Sequence, residues 1–285
     1  MNIQWYPGHM TKAFRQMQED IKLIDLCIEI VDARIPLSSR NPDIDRLCAN
    51  KARLILLNKA DLADEAITSD WIRFYEEQGI EALALDSRSR KNMGKVSAAV
   101  ERACALKRQK DAKRGIKNRP LRTLVAGIPN VGKSTFINSF AGKACTKTGN
   151  KPGVTKGKQW IRLNKQLELL DTPGVLWPKF DDQTVGLHLA FIGSINDQII
   201  ELRELSFKLI DEVKLCAPGV ISAKYGIDES PEDAYDIIKA IAASRNCLKK
   251  GEELDTDRAC GILIDDFRSG NLGRISLERP IFDGK

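Results

Sequence analysis

The residues best suited to chemistry are those that can hold phosphate. Gly127-Ile128-Pro129-Asn130-Val131-Gly132-Lys133-Ser134 has the spacing of a glycine, four residues, then Gly-Lys-Ser, and it follows an apolar run, Leu124-Val125-Ala126, and precedes a helix-like one, Ser134 to Phe140. A strand before and a helix after are what the motif needs, because successive backbone N–H groups of the loop and helix start then converge on phosphate oxygens. On this reading Asn130, Val131, Gly132, Lys133, Ser134 and Thr135 form the phosphate cradle. Lys133 bridges the β- and γ-phosphates as a catalytic group, and the Ser134 hydroxyl ligates Mg²⁺. Downstream, Asp171-Thr172-Pro173-Gly174 ends another apolar run. Asp171 is placed to hold Mg²⁺ through water, and Gly174 to bring its N–H to a γ-phosphate. Thr155, on the glycine-punctuated loop Gly153-Val154-Thr155-Lys156-Gly157, is a further candidate for Mg²⁺ and for a catalytic switch.

A second group of residues can read a base. Asn58-Lys59-Ala60-Asp61 follows the apolar run 53–57. The Asp61 carboxylate can accept from N1–H and the 2-amino group of guanine, and adenine has no donors there, so a site built around this residue rejects ATP. Asn58 is expected to tie the base loop to the phosphate loop, and the Lys59 stem to cover the ring plane. Asp86-Ser87-Arg88 ends the next apolar run, where Ser87 and Arg88 are in position for backbone contact with the guanine carbonyl.

These residues need a scaffold that presents loops from one end of a sheet. Short Leu, Ile and Val runs at 23–32, 53–61, 80–87, 122–127, 158–163 and 166–172 read as strands. Helix-length segments at 10–22, 41–51, 64–78, 92–113 and 133–141 separate most of them, which implies a mostly parallel sheet covered on both faces. After about residue 185 the β-branched runs fade, and 198–214 and 231–249 carry helical spacing of apolar positions. The expected division is therefore 1–185, an α/β domain, and 186–285, a small helical domain. The chain lacks the roughly 18 uninterrupted apolar residues of a membrane span, and its opening residues lack a secretory core. With 7 cysteines and no CxxC pair, reduced thiols and a cytoplasmic location are expected.

The motifs run in an unusual order: base motif, second base loop, phosphate loop, Thr155, then DTPG. Ordinary GTPases begin with the phosphate loop. That order, with the opening Trp5-Tyr6-Pro7-Gly8-His9-Met10 and a helical C-terminal part, closely resembles the ribosome biogenesis GTPase A (YlqF) family of circularly permuted GTPases. The resemblance covers nearly the whole chain. It implies a circularly permuted P-loop GTPase domain with a small C-terminal helical domain that contacts ribosomal RNA. The implied function is GTP hydrolysis in assembly of the large ribosomal subunit, in a monomeric bacterial protein stimulated by that subunit. It also implies a K⁺ ion beside the phosphates at Asn130. One departure is that the second base loop reads Ser87-Arg88-Ser89, where the family has a small residue after the first Ser.

Position 175, where many GTPases carry a Gln that orients the attacking water, is Val, which can neither donate nor accept. The chain has only 2 histidines. His188 lies in a helical segment and reads as structural. The resemblance places the His9 segment near the nucleotide, where a neutral imidazole could orient water. His9 is the expected catalytic group, ordered when the subunit binds.

Charge agrees with a polyanionic partner. Residues 186–285 hold 13 Lys and Arg against 18 Asp and Glu, so the net +6 of the chain comes from the first 185 residues. Lys107, Arg108, Lys110, Lys113, Arg114, Lys117, Arg119 and Arg122 face one acid in sequence, Asp111. Lys143, Lys147, Lys151, Lys156, Lys158, Arg162 and Lys165 face none. Phosphate and shape contacts with RNA are expected of the second cluster. Two other readings compete: a GTP-gated protein-binding switch without RNA, and a P-loop phosphotransferase. The guanine motif argues against the latter.

Overall fold

The computed structural model describes residues 15–116, 119–143, 160–163, 167–170 and 182–282. His9, Thr155, Asp171, Gly174 and Val175, and most of the second basic cluster, lie outside the described residues.

Six strands form one sheet: β1 (Leu26–Asp32), β2 (Ala52–Asn58), β3 (Glu81–Leu85), β4 (Leu121–Ala126), β5 (Trp160–Arg162) and β6 (Leu167–Leu170), in the order β3-β2-β1-β4-β6-β5. All neighbours pair in parallel except β5 with β6. Every residue of β1 is buried, as continuous apolar runs require when helices cover both faces. The chain is helical at 15–20 (α1) and then forms α2 (Pro42–Leu47), α3 (Glu65–Glu77), α4 (Met93–Ala103), α5 (Ala105–Lys113) and α6 (Lys133–Ala141).

Local chemistry sets the ends of these helices. Asn41 caps α2 through Asp43 N, with Pro42 at the first turn, and Asp64 caps α3 through Ile67 N. The single helix expected over 92–113 is instead two, broken at Cys104, where ψ turns to 8° and the thiol packs into the core. The strand expected from residue 23 begins at Leu26, because Ile21–Leu23 closes a 3₁₀ turn first.

From residue 182 every described helix or strand is helical: α7 (Gln183–Phe191), α8 (Leu202–Cys216), α9 (Val220–Tyr225), α10 (Ala234–Ser244) and α11 (Thr256–Ser269), with one 3₁₀ turn at Asp197–Ile199. Asp182 caps α7 by accepting from Thr184 N, so that helix crosses the expected division at 185/186. Phe191 of α7 and Phe267 of α11 meet edge to face, and the core containing them continues into the sheet residues Leu124 and Leu169. Helices and sheet therefore share one apolar core. The described cysteines are all free thiols, five of them buried.

Candidate nucleotide site

The parallel strands β1, β2, β3 and β4 deliver their C-terminal loops to one end of the sheet, the place where open α/β sheets bind ligands. The phosphate loop leaves β4 there. Gly127 is required: a Cβ would stand 2.6 Å from the Ile30 carbonyl of β1. Asn130 adopts a left-handed φ of 59°, and Gly132 one of 100° just before α6 begins at Lys133. The helix N-terminus thus opens directly onto the loop, where the helix dipole favours an anion. The Lys133 ammonium curls back to donate to the carbonyls of Gly127 (3.0 Å) and Ile128 (2.7 Å), so the loop holds it at its own concave side.

Asn58 joins this loop to the base loops. Buried at the end of β2, it donates from Nδ2 to Val131 O (2.7 Å), and its Oδ1 accepts from Ser87 N (3.0 Å) and Ser87 Oγ (2.7 Å). One side chain therefore fixes the phosphate loop and both base loops relative to one another. Lys59, in the left-handed region at φ 58°, reaches Asp32 Oδ2 at 3.0 Å. That anchor at its far end lays the aliphatic stem along the cavity.

The cavity itself, about 270 Å³, is lined by Asn58 and Lys59, by Asp86, Ser87 and Arg88, and by Asn130, Gly132 and Thr135. Its size suits a nucleobase and sugar. Asp61 is not itself part of that lining; it is joined to it through Arg88, whose Nη2 donates to Asp61 Oδ2. Arg88 also binds Asp86 through its guanidinium and its backbone N–H. The N–H groups of Ser87 and Arg88 are thus taken up by Asn58 and Asp86 within the protein, and it is the Arg88 side chain that lines the cavity. Ser134 lies one residue inside α6 and makes contacts within the protein.

Two parts of this site leave no mark in the local sequence. Asp32, fully buried at the end of β1, binds Arg34 through both carboxylate oxygens (2.9 and 2.8 Å) as well as Lys59. Burial opposes its ionisation, but the charges of Arg34 and then Lys59 outweigh that and hold the carboxyl well below the usual range. The other part comes from the helical region: Arg268 and Ser269 of α11 line the cavity. Near the phosphate loop, Asn130 Nδ2 donates to Gly193 O (2.7 Å) and Ser194 Oγ to Pro129 O (2.9 Å). His188 is buried in α7, with Nδ1 beside Ser38 Oγ (3.1 Å) and Glu278 Oε1 (3.0 Å), away from the cavity lining.

A phosphate loop and a guanine-type base loop share one cavity in permuted order, and the comparisons with known proteins agree. Ribosome biogenesis GTPase A of Bacillus cereus is 45% identical over 98% of this chain and 95% of its own. The chain belongs to the ribosome biogenesis GTPase A family. The protein of that name from Thermotoga maritima is 32% identical over 98% of this chain and 95% of its own, and mitochondrial ribosome-associated GTPase 1 of Bos taurus is 31% identical over 99% and 90%. A family model described as 50S ribosome-binding GTPase matches residues 122–243. Among solved structures, GNP-bound YlqF from T. maritima superposes with a TM-score of 0.66 at 28% identity, covering 94% of this chain and 98% of that one. The GDP-bound form of the same protein gives 0.67 at 27%, covering 93% and 99%. The fold is that of a circularly permuted P-loop GTPase, and the protein is a GTPase.

Proposed function

We propose that the protein hydrolyses GTP as an assembly factor of the large ribosomal subunit, contacting ribosomal RNA in the cytoplasm and changing its contacts with nucleotide state. The observation that supports the guanine part is Asn58, the first residue of the Asn58–Asp61 motif, which binds the phosphate loop and the second base loop with one amide. The description of the matching family model as 50S ribosome-binding supports the choice of subunit. No helix among the described residues is long and apolar enough to cross a membrane.

The RNA contact rests on charge. Lys110, Lys113 and Arg114 of α5 and the turn after it are exposed. Lys107, Arg108 and Arg119 in the same run are tied to Asp25, Asp111 and Glu101, so the fold neutralises part of what the linear sequence offers. The cluster from 143 to 165 is the stronger candidate because it has no acid within it.

Mg²⁺ fits the donors available. Among the described residues no group of three His, Cys, Asp or Glu could hold a metal. A single hydroxyl, Ser134, at the start of α6 suits an ion that keeps most of its waters and takes its other ligands from nucleotide phosphates. Asp171 and Thr155 complete the proposed set, and bound Mg²⁺ would neutralise charge on the β- and γ-phosphates. Asn130 is the proposed neighbour of K⁺; equal turnover in K⁺ and Na⁺ salts removes that role. His9 is the proposed water-orienting group. In His9→Ala, stimulation of hydrolysis by the large subunit should collapse while GTP affinity persists.

The deciding experiment is filter binding to purified ribosomal subunits with GDP and with a non-hydrolysable GTP analogue. Analogue-dependent retention on the large subunit, competed by RNA, is expected. Failure to bind either subunit would leave a GTP-gated protein-binding switch as the better reading.

A further inference from the structure

After α11 the chain runs back across the base-recognition end of the sheet as a strap without regular secondary structure, residues 274–278. Its contacts fall on one loop in particular. Arg274 Nε donates to Ala63 O (2.8 Å) and Nη2 to Ala60 O (3.2 Å). Ile275 N donates to Leu62 O (3.0 Å), and Ser276 Oγ accepts from Asp64 N (3.1 Å). Three carbonyls and one N–H of the segment 60–64 are thus bound by three consecutive strap residues, and Asp61 sits inside that frame.

Other side chains hold the loop at its flanks, Lys59 to Asp32 and Asp61 to Arg88, but the backbone of the turn itself has few bonds. Ala60–Leu62 is a single 3₁₀ turn entered through a left-handed Lys59, with no side-chain cap. A lone turn fixes its own backbone poorly, since few bonds offset the dihedrals they restrain. The Asp61 carboxylate is 32% exposed and its side-chain partner is the more exposed Arg88, so the backbone beneath it shares in setting its position. Guanine recognition by one carboxylate is sensitive to that position, because both hydrogen bonds must form at once.

The strap is itself anchored away from the loop. Ile275 and Ser276 are buried, Leu277 N donates to Arg34 O, and the Glu278 carboxylate accepts from Leu37 N and Ser38 N and meets His188. Trp71 Nε1 of α3 donates to Glu278 O. Behind it, Gly270 at φ 80° closes against Leu62, where a Cβ would stand 2.6 Å from Cδ2.

We propose that Arg274 is a positioning residue for guanine recognition, setting through the Ala60 and Ala63 carbonyls the register of the loop that carries Asp61. This rests on the reading of Asn58–Asp61 as the guanine motif. Because the strap continues α11, whose Arg268 and Ser269 line the same cavity, base affinity and docking of the strap are linked, each favouring the other.

The test is titration of wild type, Arg274→Ala, Arg274→Lys and Ser276→Ala with fluorescent GDP and ADP, with melting temperatures measured in the absence of nucleotide. Arg274→Ala should raise the Kd for GDP about tenfold and leave that for ADP unchanged, so base discrimination narrows. Arg274→Lys should recover part of the loss, since an ammonium still donates to Ala63. Ser276→Ala, the milder change, should weaken GDP alone by about threefold. An unchanged GDP Kd in Arg274→Ala and Ser276→Ala overturns the positioning role, as does an equal loss for GDP and ADP with a lowered melting temperature. A wild type that binds GDP and ADP alike would remove the guanine reading and this role with it.

Discussion

The side-chain amide of Asn58 and the carbonyl of Val131 join the base-reading and phosphate-binding halves of the site with a 2.7 Å hydrogen bond that spans 73 residues of sequence. Gly132, beside Val131, makes room for it: a Cβ there would lie 2.4 Å from Asn58 Nδ2.

Gly132→Ala should therefore do two kinds of damage. The alanine is strained at φ 100°, and it pushes away an amide held on both sides, at a combined cost of about 1–3 kcal/mol. Thermal unfolding and GDP titration check this. A variant with wild-type melting and wild-type affinity would mean that the two halves are not joined through this contact.

Asp61→Asn should relax base choice. The amide can donate where the carboxylate only accepts, so xanthosine nucleotides gain and guanine nucleotides lose about a hundredfold in affinity. Arg88 keeps Asp86 but loses its charged partner at Asp61 in the same step. Competition of GTP, ATP and xanthosine triphosphate for the wild type and the variant measures both changes, with GTP preferred over ATP by at least about a thousandfold in the wild type.

Lys133→Ala should abolish turnover by removing the cation at the β- and γ-phosphates. The wild-type ammonium rests on Gly127 O and Ile128 O, and these carbonyls are solvated once it is gone, so stability should change by less than about 1 kcal/mol. Phosphate release assays beside thermal melts separate the two effects. Turnover at the wild-type rate would show the loop to be misread.

The pair Asp32 and Arg34 gives the expected response to acid. The folded carboxyl titrates below its unfolded value, so the stability it contributes is complete above about pH 4 and is lost as the pH falls further toward the folded pKa. It adds no pH dependence between 5 and 9. Asp32→Asn leaves a buried guanidinium without its counter-charge and should cost about 3–5 kcal/mol at pH 7, a gap that narrows below pH 4. Urea midpoints at pH 7 and pH 3 measure it; an equal gap at both would exclude the ionised pair.

How far these features could be read beforehand depended on how local they are. The phosphate loop and Asn58–Asp61 are contiguous motifs after apolar runs, and the chain order of the two already implies a permuted sheet. Arg268, Ser269 and Arg274 carry no such mark, because ordinary residues at a helix end and in a loop become part of the site only through packing between distant segments. Asp32 reads as an acid at a strand end, and nothing nearby says that Arg34 and Lys59 will both turn onto it. The break at Cys104 has neither Pro nor Gly to announce it. The charge runs misled in part for the same reason: Asp25 and Glu101 are remote from, or at the edge of, the basic segment they neutralise.

The bond between Arg274 and Ala63 spans 211 residues, and this separation becomes a delay when the chain is made. At about 5–20 residues per second, Arg274 is added about 10–40 s after Ala63. During that interval β1, β2 and β3 can pair and present Asn58 and Ser87 to each other, but the turn bearing Asp61 lacks the bonds from Arg274 to its backbone. A nascent chain should therefore acquire the phosphate cradle first and base selectivity later, as the strap docks.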